Sequence, residues 1–135
     1  MMTRLRPTLL LTFLILATLG LLAACRGNEP SQFGVDEQAK ATCSDECATR
    51  GQCGTLDKDT RVVLAMEGGP AVSLQDRFFI DGTLVTVIEL SQRELIAARD
   101  GVPQSLPATP FPHTFYRVTG EGKTAWVSEW CLARP

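Results

Sequence analysis

The chain contains 135 residues, of which 44% are hydrophobic, 21% charged and 7% aromatic. This length excludes a multidomain assembly, and the apolar content excludes a disordered chain. Arg4 and Arg6 precede an apolar N-terminal block, and all the acidic residues follow Cys25, so the rest of the chain has 11 basic and 15 acidic residues and a net charge of −4. Neither a nucleic-acid partner nor an anionic membrane surface is therefore expected.

The N-terminus has the three-part layout of a secretory signal. Residues 1–6 are short and positively charged, residues 9–22 are apolar, and the small residues Ala23 and Ala24 follow. An apolar helix of this length would reach about 21 Å, less than the roughly 30 Å of hydrocarbon that a spanning helix must cross. We therefore expect residues 1–24 to be a signal peptide that directs export.

The end of this segment, Leu22-Ala23-Ala24-Cys25, resembles the lipobox of bacterial lipoproteins. The resemblance implies that Cys25 becomes the mature N-terminus and carries a lipid with fatty acyl chains such as palmitate. Several acyl chains would hold the protein on the extracytoplasmic face of a membrane. The alternative is an uncleaved N-terminal membrane helix, which would also export the rest of the chain. Residues 25–35 are expected to form the lipidated cysteine and a polar tether.

Four cysteines remain after Cys25, an even number in a chain sent to an oxidising compartment, so two disulfide bonds are expected. They are Cys43, Cys47, Cys53 and Cys131. A four-thiolate zinc site is the alternative, but such sites usually contain two closely spaced pairs of cysteines. Catalytic thiols are not expected, because the chain has no C-x-x-C motif. The first three cysteines lie in residues 36–53, which we expect to form a helix and a turn.

The helix is predicted over residues 36–50, which contain helix formers, begin with acids and precede a glycine. Cys43 and Cys47 would lie one turn apart with nearly parallel Cβ directions, a poor arrangement for bonding each other. Cys53 follows the glycine turn and could fold back onto Cys47. The preferred pairing is therefore Cys43–Cys131 with Cys47–Cys53, and the exchange of Cys43 and Cys47 stays open.

From residue 60 onward the pattern changes to short β-type runs separated by glycine-containing turns. The runs are residues 61–66, 77–80, 84–90, 114–119 and 124–127. They predict a mainly β fold, a small antiparallel barrel over residues 60–135. Its one long break is the loop at residues 91–113, in which residues 92–99 could form one or two helical turns.

A series of short motifs follows in order along residues 60–132. They are Gly82-Thr83 before Val85 and Val87, then Phe115-Tyr116-Arg117-Val118, the hairpin Gly120-Glu121-Gly122-Lys123, and Ala125-Trp126-Val127-Ser128 with Leu132 beyond. Together they resemble the C-terminal two thirds of a bacterial SH3-like domain, although Ala125 replaces the usual glycine and the loop is longer than usual. The resemblance implies an SH3-like barrel, which the short N-terminal helix would precede.

The run at residues 84–90 is apolar on both faces. Val85 and Val87 share one face, while Leu84 and Ile88 lie on the other. We expect the barrel core to cover one face and the N-terminal helix, tethered by a disulfide to Cys131, to cover the other.

No catalytic or metal-binding constellation is predicted, and no cofactor. His113 is the only histidine, and we expect it to cap or pack. The serines have no G-x-S-x-G setting and no second histidine to act as a base. Two acidic pairs occur, Asp45-Glu46 on the predicted helix surface and Asp57 with Asp59 in a turn. Solvated surface charge is the expected explanation for both, and glycoside cleavage by an acid pair is a formal alternative. The chain is not expected to be an enzyme.

Aromatic residues are concentrated near the end of the long loop. The candidates for ligand contact are Phe111, Phe115, Tyr116, Trp126 and Trp130. Such an aromatic shelf suits a sugar face, a stem peptide or a proline-rich segment, although Trp126 is more often a core or rim residue in an SH3-like fold. Because many bacterial SH3-like domains accompany wall hydrolases, the resemblance implies peptidoglycan as a ligand.

The sequence therefore predicts a lipid-anchored, non-enzymatic binding module of the cell envelope. Its partners would be the membrane, through the N-terminal lipid, and either peptidoglycan or an envelope protein. The alternative is a structural or accessory subunit of a membrane-bound complex.

Overall fold

A computed structural model describes residues 32–96 and 109–135 of the chain. The predicted signal peptide, the lipidation site at Cys25 and residues 97–108 of the predicted loop lie outside the described residues. Within the described ranges, no helix has the length and apolar character needed to cross a bilayer.

The described residues form eight strands and two short helices. In chain order the strands are β1 (Gln38–Ala41), β2 (Cys53–Thr55), β3 (Arg61–Ala65), β4 (Arg77–Ile80), β5 (Leu84–Leu95), β6 (Phe111–Gly120), β7 (Lys123–Ser128) and β8 (Leu132–Ala133). Helix α1 spans Asp45–Thr49, and a 3-10 helix between β7 and β8 spans Glu129–Cys131. The predicted mainly β, antiparallel character of the domain is confirmed.

The strands form two antiparallel sheets, one with the order β7-β6-β5-β1-β8 and one with the order β2-β3-β4. An antiparallel bridge joins them, in which the backbone amide of Met66 donates to the carbonyl oxygen of Trp126 at 3.1 Å and the reverse bond measures 2.8 Å. In the part of the chain that the structure describes, the sheets do not close into one barrel. This bridge places the end of β3 against the middle of β7.

The five predicted β-type runs coincide with β3 to β7, but the long hairpin of β5 and β6 is larger than expected. Residues 92–95, predicted as helical turns, continue β5 and pair with β6 as far as Leu95 opposite Phe111. That prediction is wrong, because pairing with β6 and burial of Leu95 override the local helix propensity. The break between the two strands therefore begins at residue 96.

The predicted helix over residues 36–50 is also wrong over most of its length. Gln38–Ala41 is β1, which pairs with β5 on one side and β8 on the other. Ala39 and Ala41 are buried on one face of this strand. Although the composition of this segment is typical of a helix, its small side chains pack within the sheet. Only α1 is helical, and the Ser44 side chain caps it by accepting a hydrogen bond from the Cys47 amide.

In the described structure no helix covers the outer face of β5, which the sequence analysis expected the N-terminal helix to cover. Val85 and Val87 are buried in the core, as the alternation predicts, but Leu84 is 56% exposed and Ile88 is 38% exposed. A bulge after Val87 breaks the alternation. Helix α1 lies instead against the 3-10 helix, where a disulfide bond from Cys47 holds it.

The core has two parts. The main part lies between the two sheets and includes Phe33, Val63, Phe79, Val87, Tyr116 and Val118. A second cluster lies at the far end of the β5–β6 hairpin and contains Val72, Leu95, Phe115 and Trp126, with Phe111 and Trp130 packed against it. The second cluster is where the predicted aromatic candidates gather.

Candidate functional site

The predicted aromatic shelf is smaller than the sequence suggests. Phe115 and Tyr116 are fully buried, because β6 is covered on both of its faces. Phe115 belongs to the second cluster, whereas Tyr116 meets Phe33 edge-on in the main core, with ring centroids 5.7 Å apart. Trp126 is 8% exposed. None of these three side chains offers a face to a ligand, so their prediction as a contact shelf is corrected.

Phe111 and Trp130 are the two candidates that stay half-buried at the surface. Their ring centroids lie 6.3 Å apart at an interplanar angle of 34°. Phe111 is at the start of β6, and Trp130 is in the 3-10 helix that follows β7. The structure thus brings together two aromatic rings that are 19 positions apart in the chain.

His113 forms the floor beneath these rings. Its ring centroid lies 3.9 Å from that of Trp130 and 4.8 Å from that of Phe115, which it meets edge-on. Its Nε2 atom is 2.8 Å from Ser128 Oγ, and its Nδ1 atom is 2.9 Å from a carboxylate oxygen of Glu129. The Nδ1 contact lacks the direction of a hydrogen bond and is an ion-pair distance only. His113 is therefore a packing residue, in agreement with the sequence-based expectation.

Ser128, His113 and Glu129 are the residue types of a hydrolytic triad, an arrangement that the sequence did not suggest. Ser128 is only 2% exposed, so an acyl group cannot reach its Oγ atom in this structure. That atom also accepts a hydrogen bond from the Trp130 amide at 3.3 Å and so caps the 3-10 helix. The network positions Trp130 rather than presenting a nucleophile.

A cation lies over the half-buried ring of Trp130, and the carboxylate of the adjacent Glu129 lies 2.9 Å from His113 Nδ1. The Arg50 guanidinium lies 5.2 Å from the ring centroid, within cation–π range. Arg50 directly follows α1, and the disulfide Cys47–Cys131 holds α1 against the 3-10 helix. We call Phe111, Trp130, Arg50 and Glu129 the Trp130 surface. It combines two half-buried aromatic rings with one charged group of each sign.

The two disulfide bonds are Cys43–Cys53 and Cys47–Cys131. The preferred pairing is therefore wrong, and the exchanged alternative is the one observed. Because β1 replaces the first half of the predicted helix, Cys43 precedes α1 and lies next to Cys53, with a Cα–Cα distance of 5.7 Å. The expectation that Cys43 and Cys47 do not bond each other is confirmed. All four sulfur atoms are oxidised, so they do not offer thiolates to zinc.

The candidate acid pair Asp57 and Asp59 has a turn-forming role. The Asp57 carboxylate accepts hydrogen bonds from the amides of Asp59 and Thr60, at 3.3 and 3.1 Å. Hydrogen bonds from the Thr60 side chain and then from these two amides lower the pKa of Asp57. A carboxyl group that is held ionised and closes a turn is not suited to act as a general acid.

Comparisons with known proteins find no relative. No family model, no curated protein and no solved structure matches the chain. Across residues 32–96 and 109–135, no group of three His, Cys, Asp or Glu side chains is placed to hold a metal ion. The interpretation of the site therefore depends on its own geometry.

Proposed function

We propose that the chain is a lipid-anchored, non-enzymatic binding module of the bacterial cell envelope and that the Trp130 surface contacts its ligand. The observation that carries this proposal is the position of Trp130. Its ring lies on the buried imidazole of His113, is ordered by the Ser128 cap, and still stays half-buried at the surface. A large aromatic ring that is fixed in place and accessible is typical of a recognition surface.

The sequence and the fold support the other parts of the proposal. The signal-like N-terminus and the lipobox-like stretch ending at Cys25 support export and anchoring. A 3-10 helix between β7 and β8, where the resemblance places a short turn before Leu132, supports an SH3-like relationship. Antiparallel sheets joined at Met66 and Trp126 are compatible with such a domain.

Peptidoglycan fits the chemistry of the Trp130 surface. The apolar faces of its sugars can pack against aromatic side chains, and its stem peptides carry carboxylates that attract a cation. The Trp130 surface contains two half-buried aromatic rings and the Arg50 guanidinium, which lies 5.2 Å from the Trp130 ring centroid. We therefore propose peptidoglycan as the first ligand to test.

The test is co-sedimentation of the exported part of the protein with purified sacculi. We expect saturable binding by the wild type and loss of binding in Trp130→Ala. The matched control is Phe78→Ala, because Phe78 is also half-buried and has a cation, the Lys123 ammonium, 4.8 Å from its ring centroid. Equal binding by both variants, or no binding by the wild type, would refute the proposed ligand surface.

A second candidate function is that of an accessory subunit that docks onto an envelope protein. The observation that favours it is the exposure of apolar side chains on β4 and β5, namely Ile80, Leu84 and Ile88. A photo-crosslinking residue introduced at Leu84 would capture such a partner in cells. One introduced at Glu121, an exposed turn position, serves as the control.

A further inference from the structure

The two sulfur atoms of the Cys43–Cys53 disulfide have different environments. Cys43 is 5% exposed, and the Arg61 guanidinium donates to its Sγ atom at 3.1 Å and to its carbonyl oxygen at 2.9 Å. Cys53 is half-buried and begins β2, an edge strand of the three-stranded sheet. Cys53 is therefore the more exposed residue of the pair, whereas a cation contacts the sulfur of Cys43.

Two acidic residues are close to this disulfide. Asp81 Oδ1 accepts a hydrogen bond from the Cys43 amide at 2.8 Å, so this carboxylate is directed at the backbone. Asp59 and Asp81 line an open depression of about 280 Å³ together with Arg61. Arg61 is the charged side chain that contacts the sulfur itself among the described residues. The depression adjoins Arg61, and neither cysteine of the bond is among its lining residues.

The second disulfide is shielded. Cys47 and Cys131 are both fully buried, between α1 and the 3-10 helix. Cys43–Cys53 is therefore the more exposed of the two bonds.

We propose that Cys43–Cys53 is a thiol–disulfide exchange site that accepts two electrons from a dithiol. A thiolate of the donor attacks Cys53 Sγ and forms a mixed disulfide, and the electron pair of the broken bond leaves on Cys43 as a thiolate beside Arg61. The second thiol of the donor loses its proton and attacks the donor sulfur of the mixed disulfide. Cys53 is released and takes up the proton, and the donor becomes a disulfide.

Arg61 has a definite role in this step. The rate of exchange increases as the pKa of the leaving thiol decreases, and a cation next to a thiolate lowers that pKa. The attacked sulfur belongs to the more exposed residue, and the leaving sulfur is the one that the Arg61 guanidinium contacts, so both features favour the same direction of attack. The proposal is independent of the Trp130 surface and departs from the expectation that no thiol is reactive.

The first experiment treats the oxidised full-length protein with limiting dithiothreitol, alkylates the free thiols and maps the labelled peptides. With the reaction stopped by acid at early times, before Cys53 can attack Cys47, we expect Cys43 and Cys53 to be labelled first while Cys47 and Cys131 stay bonded. Labelling of all four cysteines together, or of Cys47 and Cys131 first, would overturn the proposal.

The second experiment changes the cation. In Arg61→Gln we expect reduction by dithiothreitol to slow by about tenfold, because the leaving thiol loses its stabilising charge. The midpoint pH for alkylation of reduced Cys43 should rise towards the ordinary thiol pKa of about 8.5. Arg77→Gln is the matched control, because Arg77 is also an arginine of the three-stranded sheet and pairs with Glu67. Equal rates and midpoints in the two variants would refute the role of Arg61.

A third experiment uses the wild type and so does not depend on the folding of a variant. Incubation with reduced glutathione should place the glutathione on Cys53. A mixed disulfide on Cys43 would contradict the proposed direction of attack.

Discussion

The Sγ atom of Cys53 lies 3.3 Å from the Sγ atom of Cys47, so the half-buried disulfide bond touches the buried one. This contact brings a sulfur of each bond within range of exchange once one of them becomes a thiolate. One thiol–disulfide exchange therefore separates the observed pairing from the pairing Cys47–Cys53, which the sequence analysis preferred.

The contact predicts disulfide rearrangement in Cys43→Ser. This substitution leaves Cys53 as a free thiol against Cys47, and at about pH 8.5, where roughly half of an ordinary thiol is ionised, it can attack and release Cys131. Peptide mapping should then find Cys47–Cys53 beside Cys47–Cys131. In the control Cys53→Ser the free thiol is Cys43, and we expect Cys47–Cys131 alone. The same mixture in both variants would contradict the importance of the contact.

The two disulfides should differ in their contribution to stability. Cys47–Cys131 spans 84 positions of sequence and Cys43–Cys53 spans 10. In the chain-entropy model the longer loop contributes about 4.6 kcal/mol and the shorter about 2.7 kcal/mol. Replacing both cysteines of the longer loop by Ala should therefore lower the free energy of unfolding by about 1.9 kcal/mol more than the same change in the shorter loop. Urea unfolding measures both values, and an equal loss would show that the loop length does not govern the effect.

The sequence predicted those elements in which local pattern and tertiary role agree. The strands β3 to β7 contain β-branched or aromatic residues bounded by turn residues, and all five were found. The strand β1 was missed, because Gln38-Ala39-Lys40-Ala41 has the composition of a helix and becomes a strand only through its partners β5 and β8. The wrong disulfide pairing followed directly from this missed strand.

The aromatic members of the candidate site, Phe111 and Trp130, were predicted from the sequence, but their exposure and the charged members Arg50 and Glu129 were not. The local sequence does not indicate that Phe115 and Tyr116 are buried, because their burial depends on the residues that pack against both faces of β6. The contact of His113 with Ser128 arises from the register of β6 and β7, in which Phe115 lies opposite Ser128. Register across a hairpin is set by the whole sheet and is not visible in a single segment.

The His113 network predicts a stability loss in Ser128→Ala. The substitution removes the partner of a buried imidazole nitrogen and the cap of the 3-10 helix, so we expect a decrease of about 1 to 3 kcal/mol in the free energy of unfolding. Ser91→Ala is the matched control, because Ser91 is a half-buried serine in the middle of β5. We expect it to change stability by less than about 0.5 kcal/mol. Similar losses in the two variants would show that the contact with His113 contributes little.

The burial of the Tyr116 side chain predicts a loss of stability at alkaline pH. It is fully buried, and burial raises its pKa above the ordinary value of about 10, because the tyrosinate would lose its hydration. A group whose pKa is raised on folding stabilises the fold below the pKa of the unfolded state, and this contribution is lost as the pH rises towards the folded-state pKa. Between those two values the free energy of unfolding should fall by about 1.4 kcal/mol per pH unit from this group.

Tyr116 is the only tyrosine of the chain, so tyrosinate absorbance titrates this residue alone. We expect ionisation in the folded protein to occur at higher pH than for a free tyrosine and to coincide with unfolding seen by circular dichroism. The variant Tyr116→Phe provides the control for the lysines, which ionise in the same range. Its stability should depend less steeply on pH than that of the wild type above pH 10. Parallel pH dependences in the two proteins, or an ordinary tyrosine titration without unfolding, would show that the Tyr116 hydroxyl reaches solvent.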